Sequence, residues 1–249
     1  MAVAIPAHNE ERLIAETIGA VPPFVDVIVV VDDASTDGTL AEIRRAAARD
    51  DRVVVLSHAR NQGVGAAIVT AYRRALRSGA QVVAVMDGDG QMHPGDLAAV
   101  LEPVCSGRAD FSKGSRFDGL VPRGRMPLAR IIGNVVFSVA TRIAGGLGTN
   151  VDAQCGYTAI SAASLARLPL DILYPRYGFP NDLVLRVAEA GMSIESVPVR
   201  AVYGAEVSGI RPHVAVPCIA ALLVRGLWRR VRVPRIEAMR RRPIEADEG

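Results

Sequence analysis

The chain has 249 residues, 50% hydrophobic, 22% charged and 4% aromatic. That is enough length and apolar content to bury one core, and it excludes a disordered, collagen-like or solenoid chain. Its 29 basic residues are arginines except Lys113, set against 26 acids for a net charge of +3. Eight of the arginines fall within 225–242 beside a single acid, Glu237. The basic character is therefore local, pointing to an element that meets phosphates or an anionic membrane and away from a nucleic-acid surface.

In chain order, Val3 to Ile5, Val27 to Val31, Val53 to Leu56 and Val82 to Met86 are short, continuous apolar runs, the pattern of strands buried on both faces. Helical periodicity separates them. Val64, Ala67, Ile68, Ala71, Tyr72 and Ala75 form one stripe, and Leu97, Val100, Leu101 and Val104 form another behind Pro94. The expectation is an α/β fold, a Rossmann-like, mostly parallel sheet flanked by helices.

After Arg108 the rhythm changes to a strand at 110–114, a Gly/Pro-rich loop at 118–127 and an apolar, helix-like segment at 128–147. A helix through Leu183 and Val187 ends at Gly191, and a strand-like run follows from Ile194 to Val202. Residues 1–212 read as one domain, with a nucleotide-binding half (1–110) and an acceptor half (111–212). Residues 213–249 read as a basic amphipathic helix and an acidic tail. In that helix Ala220, Leu223, Val224, Leu227, Trp228 and Val231 share one face and Arg225, Arg229 and Arg232 the other, the pattern of an interfacial helix or of a surface helix with a solvated arginine face. Cys105, Cys155 and Cys218 form no C-x-x-C pair, so neither disulfide framework nor zinc site is expected. No leader-like N-terminus is seen, and the apolar run 214–224, which contains Pro217, is about half the length of a membrane span. A cytoplasmic protein that does not cross the bilayer is expected.

The chemistry concentrates at strand ends. Asp87-Gly88-Asp89-Gly90-Gln91 follows the fourth strand, where ligands bind a parallel sheet. Two carboxylates two residues apart in a glycine-broken loop can turn to one point and hold Mg²⁺ or Mn²⁺ against a nucleotide's phosphates. Pro6-Ala7-His8-Asn9-Glu10, Asp32-Asp33 and Arg60-Asn61-Gln62-Gly63 end the other three strands. Ser35, Thr36 and Asp37 read first as helix caps, whereas two adjacent acids at a buried strand end call for a bound base or ribose. Rival motifs fail: Ile68 stands where a dinucleotide fingerprint needs glycine, and no P-loop, H-E-x-x-H or G-x-S-x-G exists.

Taken together, P-A-H-N-E (6–10), V-V-V-D-D-A-S-T-D-G-T (29–39), R-N-Q-G-V-G-A-A (60–67), M-D-G-D-G-Q (86–91) and G-S-R-F (114–117) resemble the family 2 glycosyltransferases of GT-A fold. The likeness is greatest to the dolichyl- or polyprenyl-phosphate mannose/glucose synthase branch and runs over about 2–212. It implies transfer of a hexose from a nucleotide diphosphate sugar, UDP-glucose or GDP-mannose in type, with inversion. By that resemblance Pro6, Ala7, Glu10, Asp32, Asp33, Asn61, Asp87, Gly88 and Asp89 bind the donor. Asp87, Asp89 and Gln91 hold the metal, and Arg200 or Arg211 closes over the diphosphate. Ser115, Arg116, Arg130 and Asn134 meet an acceptor phosphate, Asn134 standing where the family has serine.

The acceptor decides whether a base is needed. A hydroxyl needs one, and Asp182 at a helix start is the candidate, its alternative being an acid that complements the helix dipole. A polyprenyl phosphate is already anionic and needs arginines. The arginines, the apolar 131–140 segment and the basic helix favour the lipid phosphate, at the cytoplasmic face of the membrane or on a membrane subunit. Rival classes are a hydroxyl-directed glycosyltransferase and a non-catalytic nucleotide-sugar-binding accessory protein.

Overall fold

The computed structural model describes residues 1–118, 121–122, 128–148, 151–200 and 212–232. Strands β1 (Ala2–Ala7), β2 (Val27–Asp32), β3 (Val53–Ser57) and β4 (Val82–Val85) alternate with helices α1 (Ile14–Gly19), α2 (Thr39–Ala47) and α3 (Val64–Arg77). After α4 (Leu97–Cys105) come β5 (Phe111–Ser115), the short ribbon β6 (Phe117–Asp118) and β7 (Val121–Pro122), and α5 (Leu128–Gly145). Next are β8 (Thr158–Ser161), α6 (Ala162–Ala166), α7 (Phe179–Glu189), β9 (Ile194–Pro198) and α8 (Pro212–Arg232).

Seven strands make one sheet in the order β3-β2-β1-β4-β8-β5-β9. All pairings are parallel except the two made by β8, which runs antiparallel between β4 and β5. The chain moves outward from β1 to β3 and then returns to place β4 on the other flank of β1. The resulting switch point opens a crevice beyond the carboxyl ends of β1 and β4, the place where such sheets bind ligands.

Alternation along β1 sends Val3, Ile5 and Ala7 to one core and Ala2 and Ala4 to the other. The first core is covered by Ile14, Ile18, Ile43, Leu97, Val100 and Leu101, from α1, α2 and α4. The second is covered by Ala67, Ile68, Ala71 and Tyr72 of α3 and by Phe179, Leu183, Val184 and Val187 of α7. Burying each large apolar side chain is worth about 1.5–3 kcal/mol, so covering both faces is what forces the strands to read as unbroken apolar runs. Because β8, β5 and β9 join the same sheet, the second half of the chain extends the first rather than standing apart from it.

α8 lies against α5 and α7, burying Ile219, Leu222 and Leu223 near Ala144 and Leu185. It thus carries two apolar stripes. Leu223, expected on the outward face, is inside, and Val224, Leu227, Trp228 and Val231 are outside. The expected run from Ile194 to Val202 is a strand only to Pro198, and Val202 lies outside the described residues. No described helix is long and apolar enough to cross a membrane.

Candidate active site

The loop after β4 is drawn onto the end of β1. The Gly88 amide donates to the Pro6 carbonyl at 3.2 Å, the Met86 amide to Ala4 at 3.0 Å, and Thr17 Oγ1 to the Gly88 carbonyl at 3.3 Å. A Cβ on Gly88 would stand 3.0 Å from the Pro6 carbonyl oxygen, which explains the glycine between the two acids. Asp89 Oδ1 accepts the Gln91 amide at 3.0 Å, and the Asp87 amide donates to Met92 Sδ at 3.3 Å, curling the loop back on itself. Asp87, Asp89 and Gln91 are all half-buried.

Their charges interact. Burial, and Asp89 next to it, push the Asp87 carboxyl up to about 7, against the pull of Arg116 and Lys113. Burial, then Asp89 and Asp37, push Glu10 up to about 7 as well. Glu10 is positioned by its amide, which donates to Thr39 Oγ1 at 2.8 Å, and by its carbonyl, which accepts the Leu13 and Ile14 amides at the start of α1. Among the described residues no three His, Cys, Asp or Glu side chains gather as a ready-made metal cage. The hard oxygens of Asp87 and Asp89, two carboxylates crowded in one loop, fit a cation whose remaining ligands are phosphate oxygens, the usual way Mg²⁺ is held.

Asp32 and Asp33 are both 2% exposed, yet they do different things. Among the described residues Asp32 accepts the Ser35 amide alone, at 3.4 Å on Oδ1 and 3.3 Å on Oδ2. Asp33 takes the Gln62 amide on Oδ1 at 2.8 Å, the Gly63 amide on Oδ2 at 2.6 Å, and His58 Nδ1 at 2.7 Å. Burial opposes its ionisation, but Gln62, His58 and Gly63 together outweigh that and hold the carboxyl below its usual range. Asp33 thus organises the loop that carries Asn61. Gly63 itself has φ +103 and stands hard against Pro175, so the Gly63-x-Gly65 pair serves backbone geometry and close packing. Asn61 Oδ1 receives Arg176 Nη1 at 3.3 Å. Asp37 accepts the Thr39 amide at 3.0 Å, but the N-cap of α2 is Gly38, so the expected capping by Ser35, Thr36 or Asp37 is not what the helix uses.

Across the crevice, Arg116 at the end of β5 is clamped by Asp152: Nε to Oδ2 at 2.7 Å, Nη2 to Oδ1 at 2.9 Å, with the Arg116 amide on Oδ2 at 3.2 Å. The Asp152 side chain is completely buried. Ser115 Oγ turns to the Phe117 carbonyl at 3.1 Å. Asn134 is buried on α5, near its N-terminal end. Arg130 lies in the first turn of α5 with its side chain outside the described residues, as is Arg211 entirely. Arg200 is held on Asp96, Nε to Oδ1 at 2.9 Å and its amide on Oδ2 at 2.8 Å, beside the turn that leads into α4.

Asp182 sits in the first turn of α7, 2% exposed. Its Oδ2 accepts the Tyr174 amide at 2.9 Å, while Oδ1 lies 3.6 Å from Arg186 Nε and 3.8 Å from Arg229 Nη2 of α8. No contact joins it to the 87–91 loop among those described; its neighbour Asn181 instead accepts Gln154 Nε2 at 2.9 Å and donates to Thr141 at 2.8 Å. Sequence reasoning did not find Asp152, His58 or the buried Lys113. The one available signal was chemical: a lone acid in the small, apolar 151–160 stretch and a lone lysine in a strand both require buried partners.

Comparisons with known proteins give the family and the fold. The family model described as Glycosyl transferase family 2 matches residues 2–167. Undecaprenyl-phosphate mannosyltransferase of Micrococcus luteus is 36% identical over 201 residues, covering 78% of this chain and 80% of the relative. Polyprenol monophosphomannose synthase of Mycolicibacterium smegmatis is 34% identical over 205 residues, covering 79% and 75%. Among solved structures, glucosyl-3-phosphoglycerate synthase of Mycobacterium tuberculosis with Mn²⁺, UDP and phosphoglyceric acid has a TM-score of 0.67 at 21% identity, over 94% of this chain and 78% of that one, a likeness of fold.

Proposed function

Because the chain belongs to glycosyl transferase family 2, we propose that it moves a hexose, with inversion, from a nucleotide diphosphate sugar to a polyprenyl phosphate at a membrane surface. The observation that carries this reading is the meeting of Glu10, Asp87 and Asp89 with Arg116 at the sheet's switch point, acids on one side and a clamped guanidinium on the other. Asp87, Asp89 and Gln91 would hold Mg²⁺ or Mn²⁺, which when bound would supply positive charge to the departing nucleoside diphosphate. Glu10 and Asp32, beside Pro6 and Ala7, face the ribose and base. Arg116, its plane fixed by Asp152, orients the acceptor phosphate together with Arg130, Ser115 and Asn134.

A phosphate nucleophile needs no base, which suits the setting of Asp182 between two guanidiniums. Relatives named for undecaprenyl-phosphate and polyprenol substrates support the acceptor class. So do two helices that lie against one another and leave apolar side chains outward: Ile132, Val136, Val139 and Ile143 on α5, and Val224, Leu227, Trp228 and Val231 on α8. The proposal sets the protein at the cytoplasmic face of the membrane.

The test is an extraction assay with labelled UDP-glucose and GDP-mannose, each offered polyprenyl phosphate or the unphosphorylated polyprenol. Label entering the organic phase only with the phosphate, and released as sugar by mild acid, is expected. Transfer to the free polyprenol, or to a soluble hydroxyl acceptor alone, would reject the phosphate reading.

A further inference from the structure

Lys113 is the only lysine of the chain, and its side chain is wholly buried in the middle of β5. Removing an ammonium from water is costly, and an apolar side chain of the same volume would fill the position without that cost. Among the described residues Lys113 Nζ donates its hydrogen bond to the Cys155 carbonyl oxygen, at 2.5 Å. That carbonyl belongs to a turn with two working sides. On one, the Cys155 amide returns to the carbonyl of Asp152 at 3.0 Å, and Asp152 holds Arg116. On the other, Gly156 faces Asp87 so closely that a Cβ there would stand 2.8 Å from Asp87 Oδ2 and 2.9 Å from Met92 Cε. Burial pushes the ammonium's pKa down, and Asp152 and Asp87 are among the charges that oppose this.

We propose that Lys113 is a positioning residue for the transfer reaction: its bond to the Cys155 carbonyl sets the 155–156 backbone against Asp87 and so fixes that carboxylate for a cation and diphosphate. The role rests on the transferase reading above. It is not a contact with substrate, because no part of Lys113 reaches the crevice surface.

The experiment compares K113M, K113Q and G156A with the wild type in Mn²⁺-dependent transfer, Mn²⁺ titration and thermal denaturation. K113M is expected to lose roughly 10–100-fold in kcat, with a raised Mn²⁺ requirement, as for other partners that orient metal-binding carboxylates. Its Tm should fall by only a few degrees, the loss of a donor to the Cys155 carbonyl being offset by loss of the buried charge. K113Q, which keeps an N–H donor without the charge, should recover part of the loss. G156A, which pushes on Asp87 from the opposite side, should reproduce the defect with Lys113 intact. A K113M protein with wild-type kcat and Mn²⁺ dependence overturns the role, as does a defect that merely tracks a lowered Tm. If K113M does not fold, G156A with unchanged Mn²⁺ dependence overturns it equally. A wild type with no Mn²⁺-dependent turnover removes both this role and the transferase reading, whereas the K113M outcomes remove only the role.

Discussion

Asp87 and Glu10 stay protonated up to about pH 7 because the same crevice buries both and Asp89 adds a third charge. For Asp87 the sign follows from linkage. Its carboxyl ionises near 3.8 when unperturbed and near 7 in the fold, so the folded chain holds a proton that the unfolded chain has released. The stability this contributes is fully present below about pH 4 and is lost as pH rises through 7. Asp87→Asn removes the dependence, so in EDTA its Tm should match the wild type at pH 4 and exceed it by several degrees at pH 8, at about 2–4 °C per kcal/mol for a chain of this length. An equal gain at both pH values, by scanning calorimetry, would mean that Asp87 carries no such strain. Asp33 shows the opposite case: a less exposed carboxyl held ionised by two amides and a histidine. Sequence placed both acids at strand ends but could not tell them apart, because the distinction lies in amides from a loop 29 and 30 residues away.

At the level of elements, β1 to β4, α3 and α4 were legible because a sheet covered on both faces writes unbroken apolar runs, and each covering helix writes a stripe. β8 was not. Thr158–Ser161 is four residues long, and its antiparallel place between β4 and β5 is a tertiary choice that no local pattern encodes. α8 was legible as amphipathic, but its two stripes were merged into one face, since Leu223 is buried while Val224 beside it is 68% exposed. The outer stripe is the one available to a bilayer, with Trp228 among its residues. The triple substitution V224E/W228E/V231E should therefore abolish sedimentation with anionic phospholipid vesicles and leave Tm within about 2 °C, the change expected of surface positions. Vesicle binding that survives the triple change would assign membrane contact elsewhere. Loss of Tm would show the stripe to be packed rather than exposed.

For the whole molecule, one sheet runs from β3 to β9 and carries Glu10, Asp87 and Asp89 and Arg116 just beyond the same set of carboxyl ends. The acids were readable because glycine-broken carboxylates at a strand end leave a local trace. What orders them was not. Asp152 reaches Arg116 across 36 residues, Lys113 reaches Cys155 across 42, and His58 reaches Asp33 across 25, so each pairing exists only once the sheet has closed. We propose that the loop at 87–91 grips a divalent ion against a nucleoside diphosphate. Calorimetric titration of Mn²⁺ into the purified chain, with and without UDP or GDP, tests it most directly. One ion per chain should bind, more tightly with the nucleotide present, and Asp89→Ala should abolish that binding. Mn²⁺ bound equally well by wild type and Asp89→Ala, or indifferent to the nucleotide, would contradict the claim.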